Sequence, residues 1–318
     1  MQSELTIGLA DELNIAPMGV GAWTWGTTRL WGYGKEYDRS DVGRAFRASM
    51  AEGVTLVDTA EMYGNGASER IIGEILREGS FEGTPVIATK FAPLPYRFRA
   101  KSLLDAVDKS LERLGIETID LYQIHFPNVI FRIESLMDAL AETVKAGKVR
   151  RVGVSNYGAD QMQRAHDRLA SHGVSLASNQ VEYSLLQRSP ETNGVLEACR
   201  DLGVTLIAYS PLAQGLLTGK YGPGDRRPSG LVRRMGRSFG EQNLKKVEPV
   251  VNILREIGEA HNKQPAQVAL NWLITQKHTF PIPGAKNEFQ ARQNAGALGW
   301  GMTSEEAEKL ELATLGWR

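Results

Sequence analysis

A single cysteine, Cys199, is all the thiol chemistry this chain carries, so no internal disulfide can form and a reducing compartment is expected. Set in VLEACRDLG, on a stretch that reads as a helix, it is a small buried apolar residue rather than a nucleophile. Net charge is absent too. The 37 Lys and Arg balance the 37 Asp and Glu, which removes any overall pull toward nucleic acid or an anionic membrane. No apolar run approaches the ~20 residues of a membrane-spanning helix, and acidic Glu4, Asp11 and Glu12 interrupt the stretch where a signal or transit segment would read. A soluble, cytoplasmic protein is expected, a plastid address being open only if a transit peptide once preceded it. Metal-binding patterns are missing as well: there is no H-E-x-x-H, no cysteine cluster and no histidine pair at ligand spacing.

What is present is a coarse rhythm of β-rich apolar runs, polar turns and amphipathic stretches. The runs are Met18 to Trp23, Val54 to Val57, Val86 to Thr89, Ile119 to Ile124, Val149 to Val154, Ala177 to Val181, Thr205 to Ala208 and Thr279 to Ile282. Between them, sets such as Leu103, Leu104, Val107, Leu111 and Leu114 recur at helical spacing. Gly53, Gly115, Gly147, Gly173 and Gly203 each precede a strand, where a left-handed helix end suits glycine. Eight strands with crossover helices predict an α/β fold, a (β/α)8 TIM barrel in one domain over 1–318, with a doubly wound sheet as the alternative. Two segments break the rhythm. Leu5 to Ile15 reads as a β-hairpin turning around Leu9 to Glu12 that closes the barrel floor. Residues 211–240 form a long Gly-, Pro- and Arg-rich loop after strand 7 that should lie over the active face. Its arginines, Arg226, Arg227, Arg233, Arg234 and Arg237, are read as a loop over cofactor phosphates or as a solvated loop, not as a nucleic-acid patch.

In a barrel the reacting groups sit where strands end. Asp58, Lys90, His125, Ser155, Gln180 and Tyr209 each end an apolar run, and Asp, Lys and His on consecutive strands would converge on one mouth. Of the five histidines only His125 ends a strand. Tyr63, in DTAEMYGNG, belongs to the same mouth. A phenol titrates near ~10, and a cation within ~4–6 Å typically lowers a pKa by ~1–3 units, which would make Tyr63 beside Lys90 a proton donor. Asp58 would hold Lys90 charged, and His125 would orient a carbonyl. The glycine-rich GVGAWTWG has Thr24 where a dinucleotide fingerprint needs its third glycine, and GKYGPGD is no P-loop. PIPGAKNEFQARQN, residues 281–294, runs from the eighth strand through a glycine turn to a helix start, where barrels commonly hold phosphate.

The motifs DTAEMYGNGASERIIGEIL, VIATK, DLYQIH, VRRVGVSNY, NQVEYSLL, YSPLAQGLLTGKY and PIPGAKN, in this order, resemble those of the aldo-keto reductase family over the whole length. AWTWG, RLWGYG and GALGW are similar to the chloroplast and cyanobacterial branch, and more distantly to pyridoxal reductases and potassium-channel β subunits. The resemblance implies NADPH-dependent reduction of a small carbonyl substrate, with Asp58, Tyr63, Lys90 and His125 as catalytic tetrad. It implies a cofactor lying across the mouth: the nicotinamide end at Ser155, Asn156, Gln180 and Tyr209, the pyrophosphate at Ser210, Pro211, Leu212, Gln214, Gly215 and Lys220, and the adenosine 2′-phosphate end at Gly284, Lys286, Gln290, Gln293 and Asn294, with Trp23 a further cofactor contact. Some branches carry arginine where Gln290 stands, so preference for NADP rests on Lys286 and on an arginine of the 226–237 loop. A second departure is the short C-terminal tail, which is longer in several branches and closes the substrate pocket. Substrate contacts are expected from Trp25, Trp31 and Phe126, with Trp23 and Tyr33 beside them. Two rival readings use the same residues: a Schiff-base aldolase built on Lys90, and a cofactor-sensing subunit with slow turnover.

Overall fold

The structure, a computed structural model, describes residues 8–95, 97, 101–127, 132–224 and 237–318, with only the backbone of Gly8, Asp11, Glu12 and Arg237. Eight strands pair in chain order, each parallel to the next: β1 (Gly19–Gly21), β2 (Leu56–Asp58), β3 (Val86–Phe91), β4 (Ile119–Ile124), β5 (Val149–Ser155), β6 (Leu176–Glu182), β7 (Thr205–Tyr209) and β8 (Thr279–Pro281). A doubly wound sheet would reverse its strand order midway, and this one does not. The ring comes nearly closed between β8 and β1, where Gly21 N donates to Pro283 O at 3.0 Å and Gly21 bridges Gly284. The fold is therefore the (β/α)8 barrel that the eight runs predict.

Each run forms a strand because both of its faces are covered, one by the barrel interior and one by helices, as in all-parallel sheets. Every residue of β3 is buried. The helices Lys101–Leu114 and Ile133–Lys145 turn Leu103, Val107 and Leu114, and Leu136, Met137 and Leu140, onto the strands. The five glycines expected at helix ends all adopt left-handed backbone, with φ between +66° and +76°.

The barrel floor departs from expectation. Leu9 to Glu12 is not a turn between two strands but part of a helix, Gly8–Leu13, while residues 5–7 lie outside the described residues. Floor closure needs an apolar plug rather than a particular element. Leu9 is buried among Leu56, Val86, Ala88, Leu121, Ile207, Phe280 and Ile282, and its backbone N–H is satisfied by Thr205 Oγ1 at 3.2 Å. Residues 311–314 pack on the barrel wall: Arg188, fully buried, donates to Glu191, Thr314 Oγ1 and the Glu311 carbonyl and lies over Trp272. No helix among the described residues is long and apolar enough to cross a membrane.

Candidate active site

The loop that carries Tyr63 is fixed by its own sequence. After β2 the chain turns back through Tyr63 N to Ala60 O at 3.0 Å and Ser68 N to Tyr63 O at 3.2 Å. Thr59 Oγ1 donates to Ser68 Oγ at 2.8 Å, and Ser68 Oγ donates to Ala22 O at 3.1 Å, a two-hydroxyl staple between this loop and the one after β1. Gly64 is needed at its position: its φ is +58°, and a Cβ there would come within 2.5 Å of Gly26 O. Below the loop, Glu69 is fully buried but satisfied by Thr89 Oγ1 and Arg113 Nε, which ties the next helix to β3.

Register sets out the layer beneath. Lys90, Gln123, Gly153 and Ser178 are partners across β3 to β6. Lys90 is fully buried, and its ammonium uses three acceptors: Asp58 Oδ2 at 2.6 Å, Thr59 O at 2.8 Å and Tyr63 Oη at 3.4 Å. The other oxygen of Asp58 accepts from Gln180 Nε2 at 2.9 Å and from Gln123 Nε2 at 3.4 Å. A Cβ on Gly153 would stand 2.3 Å from Ser178 Oγ and 3.1 Å from Gln123 Cγ, so glycine is what leaves room for this buried polar layer. Such a layer inside a barrel is tolerated because its members satisfy one another.

Electrostatics sharpen the assignments and correct one of them. Burial would drive the Lys90 ammonium down, but Asp58 and Tyr63 together hold it above its ordinary range, so it stays charged. Tyr63 goes the other way from expectation. Burial raises its phenol above the usual value, and the pull of Lys90, real and downward, does not overcome it, with Asp58 adding to the rise. Tyr63 is therefore firmly protonated at neutral pH. His125, the residue after β4, with its ring edge-on to Tyr63 at 5.7 Å, is lowered to about 3 by burial and then by Lys90. Its Nδ1 is buried with no hydrogen-bond partner among the described residues. The imidazole is neutral throughout the physiological range. Because its folded-state pKa lies below the unfolded value near ~6.5, this group favours the fold above that value and works against it as pH falls toward about 3. Acidification from pH 7 to 4 should thus lower the urea midpoint more in the wild type than in His125→Asn. Equal acid sensitivity would remove His125 from that role.

These groups open onto a cavity of about 1010 Å³ across the C-terminal ends of the strands, at the top of the ~300–1,000 Å³ range of small-molecule sites. Asp58, Tyr63 and His125 line it, with Lys90 directly beneath. So do all the residues expected to hold a cofactor: Trp23, Ser155, Asn156, Gln180, Tyr209, Ser210, Pro211, Leu212, Gln214, Gly215, Lys220, Gly284, Lys286, Gln290, Gln293 and Asn294. Around Ser155 the hydrogen bonds interlock. Asn156 Nδ2 donates to His125 O and to Ser155 Oγ, each at 3.1 Å, and Tyr209 Oη donates to Asn156 Oδ1 at 3.1 Å. Left-handed backbone gathers on this wall at Asn156 (φ 61°), Ser210 (52°) and Gln214 (57°). Such conformations in non-glycine residues cost of order 1–3 kcal/mol each and concentrate at ligand sites. Gln290 does not reach outward but accepts from Lys286 N at 2.9 Å, bracing the turn before helix Glu288–Ala295.

Of the expected substrate contacts, Trp31 and Phe126 line the cavity, but Trp25 does not. Trp25 is fully buried and gives its Nε1–H to Ala285 O at 2.7 Å, so it anchors the β8 loop instead. Tyr33 also lies off the cavity, edge-on to Tyr37 at 5.7 Å. Part of the long loop after β7 lies over the mouth as expected, through Thr218, Lys220 and Tyr221, whereas Arg226, Arg227, Arg233 and Arg234 fall outside the described residues and the side chain of Arg237 is not described. Sequence reading missed Leu30, Met62 and Phe289, exposed apolar side chains on the cavity rim, and Gln123 below it. Phe289 carried a signal, as the lone aromatic in an otherwise polar helix start. Gln123 carried one too, as a polar residue inside an apolar strand. Among the described residues no cluster of His, Cys, Asp and Glu could hold a metal ion.

Comparison with known proteins agrees with this geometry. The model of the aldo/keto reductase family matches residues 17–313. The chain is 39% identical over 312 residues to a chloroplastic pyridoxal reductase of Arabidopsis thaliana, spanning 95% of this chain and 84% of that protein. It is 38% identical over 306 residues to an uncharacterized oxidoreductase of Mycobacterium tuberculosis, spanning 96% and 91%. Among solved structures, a glycerol dehydrogenase from Gluconobacter oxydans superposes with a TM-score of 0.81 at 27% identity, covering 94% of this chain and 91% of that one. An aldo-keto reductase from Klebsiella pneumoniae in complex with NADPH superposes with a TM-score of 0.73 at 28% identity, covering 94% and 90%. With its barrel, its cavity and a match along nearly the whole chain, this protein belongs to the aldo/keto reductase family.

Proposed function

We propose that this protein reduces aldehydes or ketones to alcohols with NADPH, Tyr63 serving as general acid. The observation that carries the reading is the chain Asp58–Lys90–Tyr63, in which a charged, buried ammonium touches a protonated phenol at the cavity wall. The cavity fits a nicotinamide dinucleotide. Gln180, its Nε2 committed to Asp58, offers Oε1 to a carboxamide, Tyr209 offers a ring face, and Lys220 and Lys286 supply the cations of the wall. When bound, that cofactor supplies hydride to the carbonyl carbon. The protein's own part is to move the proton: Tyr63 Oη gives it to the carbonyl oxygen as charge develops there, and Lys90 at 3.4 Å stabilises the phenolate left behind. Asp58 keeps Lys90 charged and aimed. Neutral His125 gives an N–H to the same oxygen. Trp23, Leu30, Trp31, Met62 and Phe126 make an apolar wall that excludes water and suits a planar, aromatic aldehyde. Pyridoxal is a member of that class, and the Arabidopsis relative is a pyridoxal reductase.

Lys90 argues against the imine-forming reading. A Schiff-base nucleophile must be a neutral amine that a substrate can reach, whereas this one is charged, buried and bonded to three acceptors. The test is consumption of NADPH with a panel of aromatic and aliphatic aldehydes that includes pyridoxal. Turnover of about 1 s⁻¹ or faster on an aromatic member is expected, within the usual range for enzymes. Tight NADPH binding with no turnover across the panel would replace the enzyme by a cofactor sensor.

A further inference from the structure

The side chain of Lys286 bends back toward the loop after β1. Its Nζ donates to Trp31 O at 3.0 Å, lies 4.4 Å from the Tyr37 ring centroid and 5.8 Å from that of Trp31, and stands 3.8 Å from the Glu36 carboxylate. Only 15% of the side chain is exposed. The neighbouring Ala285 carbonyl takes the Trp25 indole N–H, and Tyr37 Oη donates to Thr24 O at 2.6 Å. Two consecutive residues of the β8 loop therefore fasten the first loop at Trp25 and at Trp31, next to the seam where the barrel ladder between β8 and β1 is reduced to one bridge.

What that loop carries is the wall opposite the acid. Trp31 packs edge-on against Trp23 at 5.1 Å, and the Trp23 ring lies 6.3 Å from that of Tyr63. A continuous series of contacts thus runs from the Lys286 ammonium through Trp31 and Trp23 to the catalytic phenol. We infer that Lys286 is a positioning residue for the carbonyl substrate: by holding the Trp31 turn it sets the Trp23 wall at Tyr63, so one cation serves both the cofactor's phosphate end and the substrate pocket. A phosphate drawn to this ammonium competes with the Trp31 carbonyl for its protons, and cofactor and substrate affinities become linked in both directions. The substrate part of this inference rests on the reductase reading above; the loop part does not.

NADH separates the two duties, because it lacks the 2′-phosphate. With NADH as hydride donor, Lys286→Met should raise KM for an aromatic aldehyde roughly fivefold to twentyfold, the scale of losing a partly desolvated cation–π contact and its hydrogen bond. KM should rise by a larger factor than kcat falls. Lys286→Arg, which can still donate to Trp31 O and cover Tyr37, should restore most of the loss. In the cofactor-free protein, Lys286→Met should alter the near-ultraviolet circular dichroism and increase acrylamide quenching of tryptophan, and Lys286→Arg should do so far less. An unchanged NADH-supported KM together with unchanged spectra in Lys286→Met would overturn the inference. If the wild type reduces no carbonyl with either cofactor, the reductase reading fails on its own, and the spectra alone still decide whether Lys286 sets the loop.

Discussion

Tyr63→Phe should lower kcat by about 10²- to 10⁴-fold, the contribution general acid catalysis typically makes, while NADPH still binds. Phenylalanine keeps the ring that packs 5.7 Å from His125 and 6.3 Å from Trp23, and removes only the oxygen that Lys90 touches. The loop geometry rests on Gly64 and the Thr59–Ser68 staple rather than on that hydroxyl, so the fold should be unaffected. The wild-type profile carries a second signature. Because burial holds the phenol above its ordinary pKa, the protonated acid is present at full occupancy through neutral and mildly alkaline pH, and reduction should decline only as pH rises beyond ~10. A variant with near-normal kcat, measured at saturating NADPH, would move the acid role elsewhere. A wild-type decline centred near pH 7 would contradict the pKa order read from the structure.

The parts of this fold and site that were legible in sequence share a physical cause. Parallel strands covered on both faces must read as apolar runs, so their ends stand out, and an Asp, a Lys and a His ending three successive runs had one place to meet. Glycines at helix ends were legible because left-handed backbone selects them. Other features had no such local signature. Leu9 to Glu12 offered turn residues in a short segment, and whether a floor plug is a hairpin or a helix is decided by the apolar ring it must fill, around Leu56, Leu121 and Phe280. Trp25 and Trp31 lie close together in one aromatic loop, yet one is buried under the β8 turn and the other faces the cavity. That difference depends on where Ala285, 260 residues later, presents its carbonyl. The direction of the Tyr63 shift was missed for a related reason. Sequence shows the neighbouring cation but not the depth of burial against which it competes.

The second large effect falls on the ion pair beneath the acid. Lys90→Met should cost about 3–5 kcal/mol of stability, because it leaves the Asp58 carboxylate, 2% exposed, with only the amides of Gln180 and Gln123 to compensate it. Asp58→Asn strands the cation instead and should cost a similar amount. The double variant Asp58→Asn/Lys90→Met removes both charges and should be destabilised by clearly less than the sum, since a buried pair is weak in net stability while each half alone is costly. Lys90 is held above its ordinary value, so the stability that its own shift contributes is fully present below ~10.4 and is lost only as pH rises past that. Neutral pH is therefore the right condition for the cycle, read as urea denaturation midpoints and slopes. Kinetics should show a different non-additivity. Lys90→Met should cost kcat on the scale of Tyr63→Phe, and combining the two should cost little more than either alone, because the ammonium acts only through the phenol it touches. Losses that multiplied would mean that Lys90 has a separate duty toward the reacting carbonyl, which its complete burial and its three acceptors argue against.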